Sequence, residues 1–210
     1  MTASLFLLSA IAASAQQSAP IVQPGAPGQP GKFLNETTVW IPPRAPFNAD
    51  VEFMKGMIMH HSQAVEMVAL LRTHGKSPVL KSFGEKISVS QTDEIGFMKR
   101  WLESRGKPTT MEMDHSHMSA ADMKNMNMLM PGMLTPEQMS ALAKARGAQF
   151  DHLFLTGMIQ HHGGALTMVT DLFNTPGAGQ DPVLFDFATD IDNTQSAEIK
   201  IMRGMLDKEK

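Results

Sequence analysis

The chain has 210 residues, 42% of them hydrophobic, and a formal net charge of −3 at pH 7. That is enough for one sizeable core or two small ones, and a near-neutral chain with no long basic run is a poor match for nucleic acid. Cysteine is absent while methionine numbers 19, against 11 Phe, 2 Trp and no Tyr; disulfides, thiolate metal sites and cysteine nucleophiles are excluded, and a methionine excess is left to explain.

The first segment, MTASLFLLSAIAASAQQSAP, has an apolar run from Leu5 to about Ala12 followed by Ala13-Ser14-Ala15. A short apolar run before a small-x-small site is the pattern of a cleaved secretory signal, so residues 1–15 are expected to direct export to a bacterial periplasm or beyond. No Lys or Arg precedes the run, as the usual signal would have. The competing reading, a short buried helix, fits poorly with the Pro/Gly/Gln-rich chain that follows at once. No other stretch is apolar enough for a membrane span, so the chain after cleavage should carry none. Residues 16–47 hold most of the prolines and no apolar period, and are expected to form an irregular arm.

From residue 48 the sequence becomes periodic. MKGMIMHHSQAVEM at 54–67 returns as LTGMIQHHGGALTM at 155–168, an offset of 101 that pairs Asp50 with Asp151, Met57 with Met158, His60-His61 with His161-His162, and Met67 with Met168. Further on the offset is 104, and Gln91, Glu94, Ile95, Met98 and Leu102 pair with Gln195, Glu198, Ile199, Met202 and Leu206. The extra residues fall in NTPGAGQ, which stands where the first copy has THGK; turns are where a duplicated unit tolerates insertion. Positions 54, 57, 58, 61, 64, 65 and 68 keep a 3.6-residue period, and Ser77-Pro78 and Asp181-Pro182 each offer an N-cap followed by proline at the first helical position. Thr135 and Gln138 are spaced as a capping box. Each copy is therefore expected to be a helical hairpin, at 48–105 and at 135–208. Burying the apolar face of one against the other gives an all-α four-helix bundle with an internal pseudo-twofold.

Residues 106–134 join the hairpins. Nine methionines lie between Met111 and Met139, and those at 113, 118, 123, 126, 128 and 130 hold one face of no regular period. With polar neighbours such as Asp114, Lys124 and Asn125, this reads as exposed linker and not as core. The thioether takes no proton and, as a soft ligand, selects Cu(I) over hard cations, while imidazole suits copper in either oxidation state. A chain without cysteine but crowded with Met and His has the ligand set for copper, Cu(I) first, or for Ag(I) or Cu(II). The linker candidates are Met111, Met113, His115, His117, Met118, Met123 and Met126.

In the hairpins, Met57, His60, Ala64 and Met67 form one stripe, and His61 stands about 100° round from it, so the two rings of a pair must face different neighbours. The candidate ligands here are Met57, His60, His61 and Met67 with Met98 from the second helix, and their counterparts Met158, His161, His162, Met168 and Met202. Asp50 and Asp151 are expected as helix caps or as carboxylates that fix a histidine tautomer, with Glu94 and Glu198 on the inward stripe of the second helices. If these imidazoles hold copper, affinity should fall below about pH 6.5, because a bound ring nitrogen must be unprotonated. The plain alternative is that methionine at helical spacing is core, and that a buried histidine is merely hydrogen-bonded.

The sequence resembles the bacterial proteins of domain of unknown function 305. The resemblance is carried by MIMHHSQAVEM and MIQHHGGALTM, by QTDEIGFM and QSAEIKIM, and by GMLTPEQMSALAKARGAQFDHLFL joining the halves, over roughly residues 48 to 208. It implies a ferritin-like four-helix fold and, for members with a role, copper binding and tolerance in the periplasm. The expected function is binding or buffering of copper without turnover, with a periplasmic copper carrier or exporter as partner. A copper-dependent oxidoreductase would need an open coordination position and a substrate pocket. A metal-free interaction module would use the linker methionines on a partner's apolar surface.

Overall fold

The computed structural model describes residues 21–23, 30–34, 45–110 and 129–209. They fall into two units, divided between Pro43 and Arg44. In the first, β1 (Ile21–Gln23) pairs antiparallel with β2 (Lys32–Leu34), in register Ile21 with Leu34, Val22 with Phe33 and Gln23 with Lys32. The arm expected to be irregular thus contains a short strand pair, with Ile21, Val22 and Phe33 the residues in it that favour extended backbone. The signal segment 1–15 lies outside the described residues.

The second unit is all-α. Its helices are α1 (Asn48–His74), α2 (Pro78–Glu103), the short α3 (Pro136–Lys144), α4 (Gly147–Asn174) and α5 (Pro182–Leu206), closed by a 3-10 turn at Asp207–Glu209. The starts of α2, α3 and α5 follow from local chemistry. Ser77 Oγ accepts the Leu80 N–H at 3.2 Å and Asp181 Oδ1 accepts that of Leu184 at 3.0 Å, each with proline next in the chain. Thr135 and Gln138 close a full capping box at α3, each side chain holding the other's backbone N–H.

The four long helices form the expected bundle of two hairpins: α1 packs along α2, α4 along α5, and α1 crosses α4. Two aspartates set the antiparallel match of α1 and α4. Asp50, in the first turn of α1, accepts the Gly179 N–H from the α4–α5 turn at 2.7 Å. Asp151, early in α4, accepts the Lys76 and Ser77 N–H groups from the α1–α2 turn at 2.9 and 2.8 Å. Each hairpin thereby caps the other's turn. Near the end of α2, Trp101 is buried and directs its indole N–H to Asp181 at 3.5 Å. The Arg105 guanidinium lies 4.1 Å from the centre of that ring and pairs with Asp181 at 2.6 Å. Among the described residues no helix is long and apolar enough to cross a membrane.

Candidate metal centre

The α1/α4 crossing falls at the histidines. Met57, His60, Ala64 and Met67 are buried along α1, and Met158, His161, Ala165 and Met168 along α4. Adjacent helical residues diverge by about 100°, and the two rings of each pair stand 6.2 Å apart, centroid to centroid. His60 and His161 meet across the crossing, their ring centroids 3.7 Å apart and their planes tilted by 36°. His61 and His162 turn toward the second helix of their own hairpin.

Hydrogen bonds place the proton on each ring. His60 Nε2–H donates to the Pro131 carbonyl at 3.0 Å and His161 Nε2–H to the His60 carbonyl at 2.9 Å; a carbonyl only accepts, so Nε2 carries the hydrogen. His61 and His162 donate from Nε2 to Glu94 Oε2 and Glu198 Oε2, at 2.6 Å in both cases. In all four rings Nδ1 is buried and without a hydrogen-bond partner. The remaining buried side-chain N and O atoms without a partner, among the described residues, are the amide atoms of Gln91 and Gln195. Such atoms cost about 1–3 kcal/mol each when left unpaired. Here they are confined to three pairs of residues related by the repeat.

Burial, followed by the charge of His61, pushes His60 down to about 3. Burial followed by His60 holds His161 well below its ordinary value. Both rings are neutral at physiological pH. The expected loss of ligand character below about pH 6.5 is therefore corrected for these two: the low-dielectric interior withholds the competing proton.

Methionines are prominent in the apolar core on both hairpins. Met54, Met57, Met98 and Met168 belong to one buried cluster, and Met67, Met158 and Met202 to the other. Under the repeat, Met57, Met98 and Met168 map onto Met158, Met202 and Met67. Each cluster thus takes two of these methionines from one hairpin and one from the other, as antiparallel crossing requires. Among the described residues no group of three or more His, Cys, Asp or Glu side chains converges to hold a metal. What this core offers an ion is imidazole nitrogen and thioether sulfur, a soft donor set.

The aspartates stand elsewhere. Asp50 and Asp151 hold turns and do not touch the imidazoles, and the carboxylates that orient histidines are Glu94 and Glu198. The linker candidates Met111, Met113, His115, His117, Met118, Met123 and Met126 lie outside the described residues. Gln91 and Gln195, matched by the repeat and one turn before Glu94 and Glu198 on the second helices, are buried with unpaired amides.

One side of the centre is closed by a strap, Pro131–Leu134, at the end of the stretch read as linker. Pro131 supplies the carbonyl for His60. Gln63 grips Leu134 at both backbone groups, accepting its N–H at 2.7 Å and donating to its carbonyl at 3.0 Å. Gln160 donates to the carbonyls of Gly132 and Met133. Gly164 is required by this approach, since a Cβ there would run into the Pro131 carbonyl. Leu134 is buried, and Met130 packs against the core. No sequence pattern marks the strap, because its partners lie in other elements.

Residues 50–206 match the family model "Domain of unknown function (DUF305)". Similar solved structures include a DUF305 fragment from Deinococcus radiodurans, 26% identical with a TM-score of 0.64, covering 78% of this chain and 98% of that one. A candidate secreted DUF305 protein from Streptomyces coelicolor is 29% identical with a TM-score of 0.63, covering 76% and 93%. CopM in its Cu(II)-bound form is 29% identical with a TM-score of 0.59, covering 77% and 97%, and CopM has also been solved bound to Cu(I) and to silver. A curated relative, uncharacterized protein L153 of Acanthamoeba polyphaga mimivirus, is 36% identical over 59 residues. That match takes in 28% of this chain and 39% of the relative.

Proposed function

The chain belongs to the DUF305 family, and on that premise we propose that it binds soft metal ions, Cu(I) foremost and Ag(I) or Cu(II) with it, in the core of its bundle. The observation that carries this reading is the set of four buried Nδ1 atoms without a hydrogen-bond partner, on rings whose Nε2 atoms are engaged by a carbonyl or carboxylate. Imidazoles oriented in this way are ready ligands. The thioether donors would be Met57, Met98 and Met168 in one cluster and Met67, Met158 and Met202 in the other. The neutral His60 and His161 need shed no proton on binding. A family relative, CopM, is known in Cu(I)-, Cu(II)- and silver-bound forms, which supports the choice of ion.

The role that fits is capture and buffering of copper without turnover, after export from the cytoplasm, with exchange to a second copper-carrying protein. The Met/His-rich segment 111–128 would add sites of its own. The test is a Cu(I) titration of the full chain against a chromophoric competitor, repeated on His60→Ala/His161→Ala and on a chain with 111–128 replaced by a flexible link. The reading expects both changes to lower the amount of Cu(I) withdrawn. A protein that takes no Cu(I) from even a weak competitor would sink it, and so would a double histidine variant that binds as the parent does.

A further inference from the structure

Duplication gives this bundle a built-in control, because every surface of one hairpin has a counterpart on the other. At one end Trp101 and Arg105 close the space above Asp181. By the repeat offset of 104, their counterparts are Met205, Glu209 and Ser77. There the plug is gone. In its place lies a cleft of about 880 Å³ between the start of α2 and the end of α5, with Val79, Leu80, Leu155, Ile201 and Met205 among its walls. That volume is in the range of about 300–1,000 Å³ typical of small-molecule sites. A second hollow of about 410 Å³ shares Val79 and Met205 with it and extends the apolar surface to Phe83.

The carboxylates along this path are turned to hydrogen-bond partners within the protein, and the ammonium groups are not. Asp151 is committed to two backbone N–H groups and Glu209 is paired with His152 at 2.8 Å. Lys200 and Lys208 at the cleft and Lys86 at the adjoining hollow carry no ion pair among the described residues. A largely apolar cleft edged by ammonium groups without an ion pair complements a chain of methylenes ending in an anion. We propose that this cleft binds a free long-chain carboxylate, its hydrocarbon along Val79, Leu80, Leu155 and Met205 and its head group at Lys200 and Lys208. The site lies apart from the histidine layer and does not depend on copper.

The experiment titrates the full chain, without metal, with a dansyl-labelled long-chain fatty acid and displaces it with unlabelled oleate. Saturable, displaceable binding is expected. Lys200→Glu/Lys208→Glu changes two exposed side chains and should weaken binding by about tenfold or more, while a labelled fatty alcohol of equal length should be indifferent to it. Grafting the sister plug, Ser77→Asp/Met205→Trp/Glu209→Arg, should abolish binding with the melting transition retained. If the graft fails to fold, the lysine pair decides alone. Absence of saturable binding, or carboxylate affinity unchanged in the lysine variant, overturns the proposal.

Discussion

Between pH 6.5 and about 3 the unfolded chain protonates His60 and the native bundle does not. The unfolded state therefore binds more protons across that window, and stability, whole above 6.5, falls as pH falls through it. His161 acts in the same direction. The metal-free protein should lose on the order of a few kcal/mol between about pH 7 and about pH 4, read as a lower urea midpoint. His60→Gln/His161→Gln should flatten that slope. Over the same range Cu(I) affinity at His60 and His161 should hold nearly level. Glu94→Ala tests a different bond: it leaves the His61 Nε2–H without its acceptor, and should lower stability by about 1–3 kcal/mol and Cu(I) affinity by roughly 10–100-fold, measured by melting and competition titration. Much of this layer was legible in the sequence. The repeat picked out the four histidines and their methionines, and helix geometry required each pair to diverge. The proton positions were not legible, because the carbonyl that fixes His60 belongs to Pro131, 71 residues away in the chain. The burial that lowers its pKa is likewise a property of the assembled bundle.

The starts of α2, α3 and α5 were the most readable features, since a cap and its proline lie within a few residues of one another. The strap Pro131–Leu134 was the least readable. Pro-Gly followed by apolar residues reads as a turn leaving a linker, and the clamps that make it structural, Gln63 and Gly164, come from α1 and α4. These two occupy equivalent positions in the repeat yet differ: a long amide reaches out in one copy, and an absent side chain makes room in the other. Gln63→Ala should leave the Leu134 N–H and carbonyl unpaired, destabilise by about 1–3 kcal/mol and raise hydrogen exchange at the Leu134 amide ahead of the α1 amides. Gly164→Ala should lift the strap off α4 at a cost of roughly 1–3 kcal/mol. Replacing 111–128 by a flexible link spares every clamp and should keep cooperative melting. A replacement carried on through Leu134 removes a buried side chain and the acceptor of His60, and the melting temperature should drop.

At the scale of the molecule, the reach of Asp50 to Gly179 and of Asp151 to Lys76 and Ser77 means that neither hairpin finishes its own turn. The single chain is in effect a dimer whose subunits happen to be joined. Severed within 111–128, the pieces 44–110 and 129–210 should associate without the peptide link and co-purify as a one-to-one heterodimer with the helicity of the parent. Either piece expressed alone should be unstable or should pair with itself, because each carries the kind of acceptor its own turn lacks. Asp151→Ala strips two N–H groups of their acceptor and Asp50→Ala only one, so the first should raise the dissociation constant of the reassembled pair further than the second. Complementation of this kind puts the histidine layer at a subunit boundary, where association builds the binding site and a bound ion would in turn hold the subunits together.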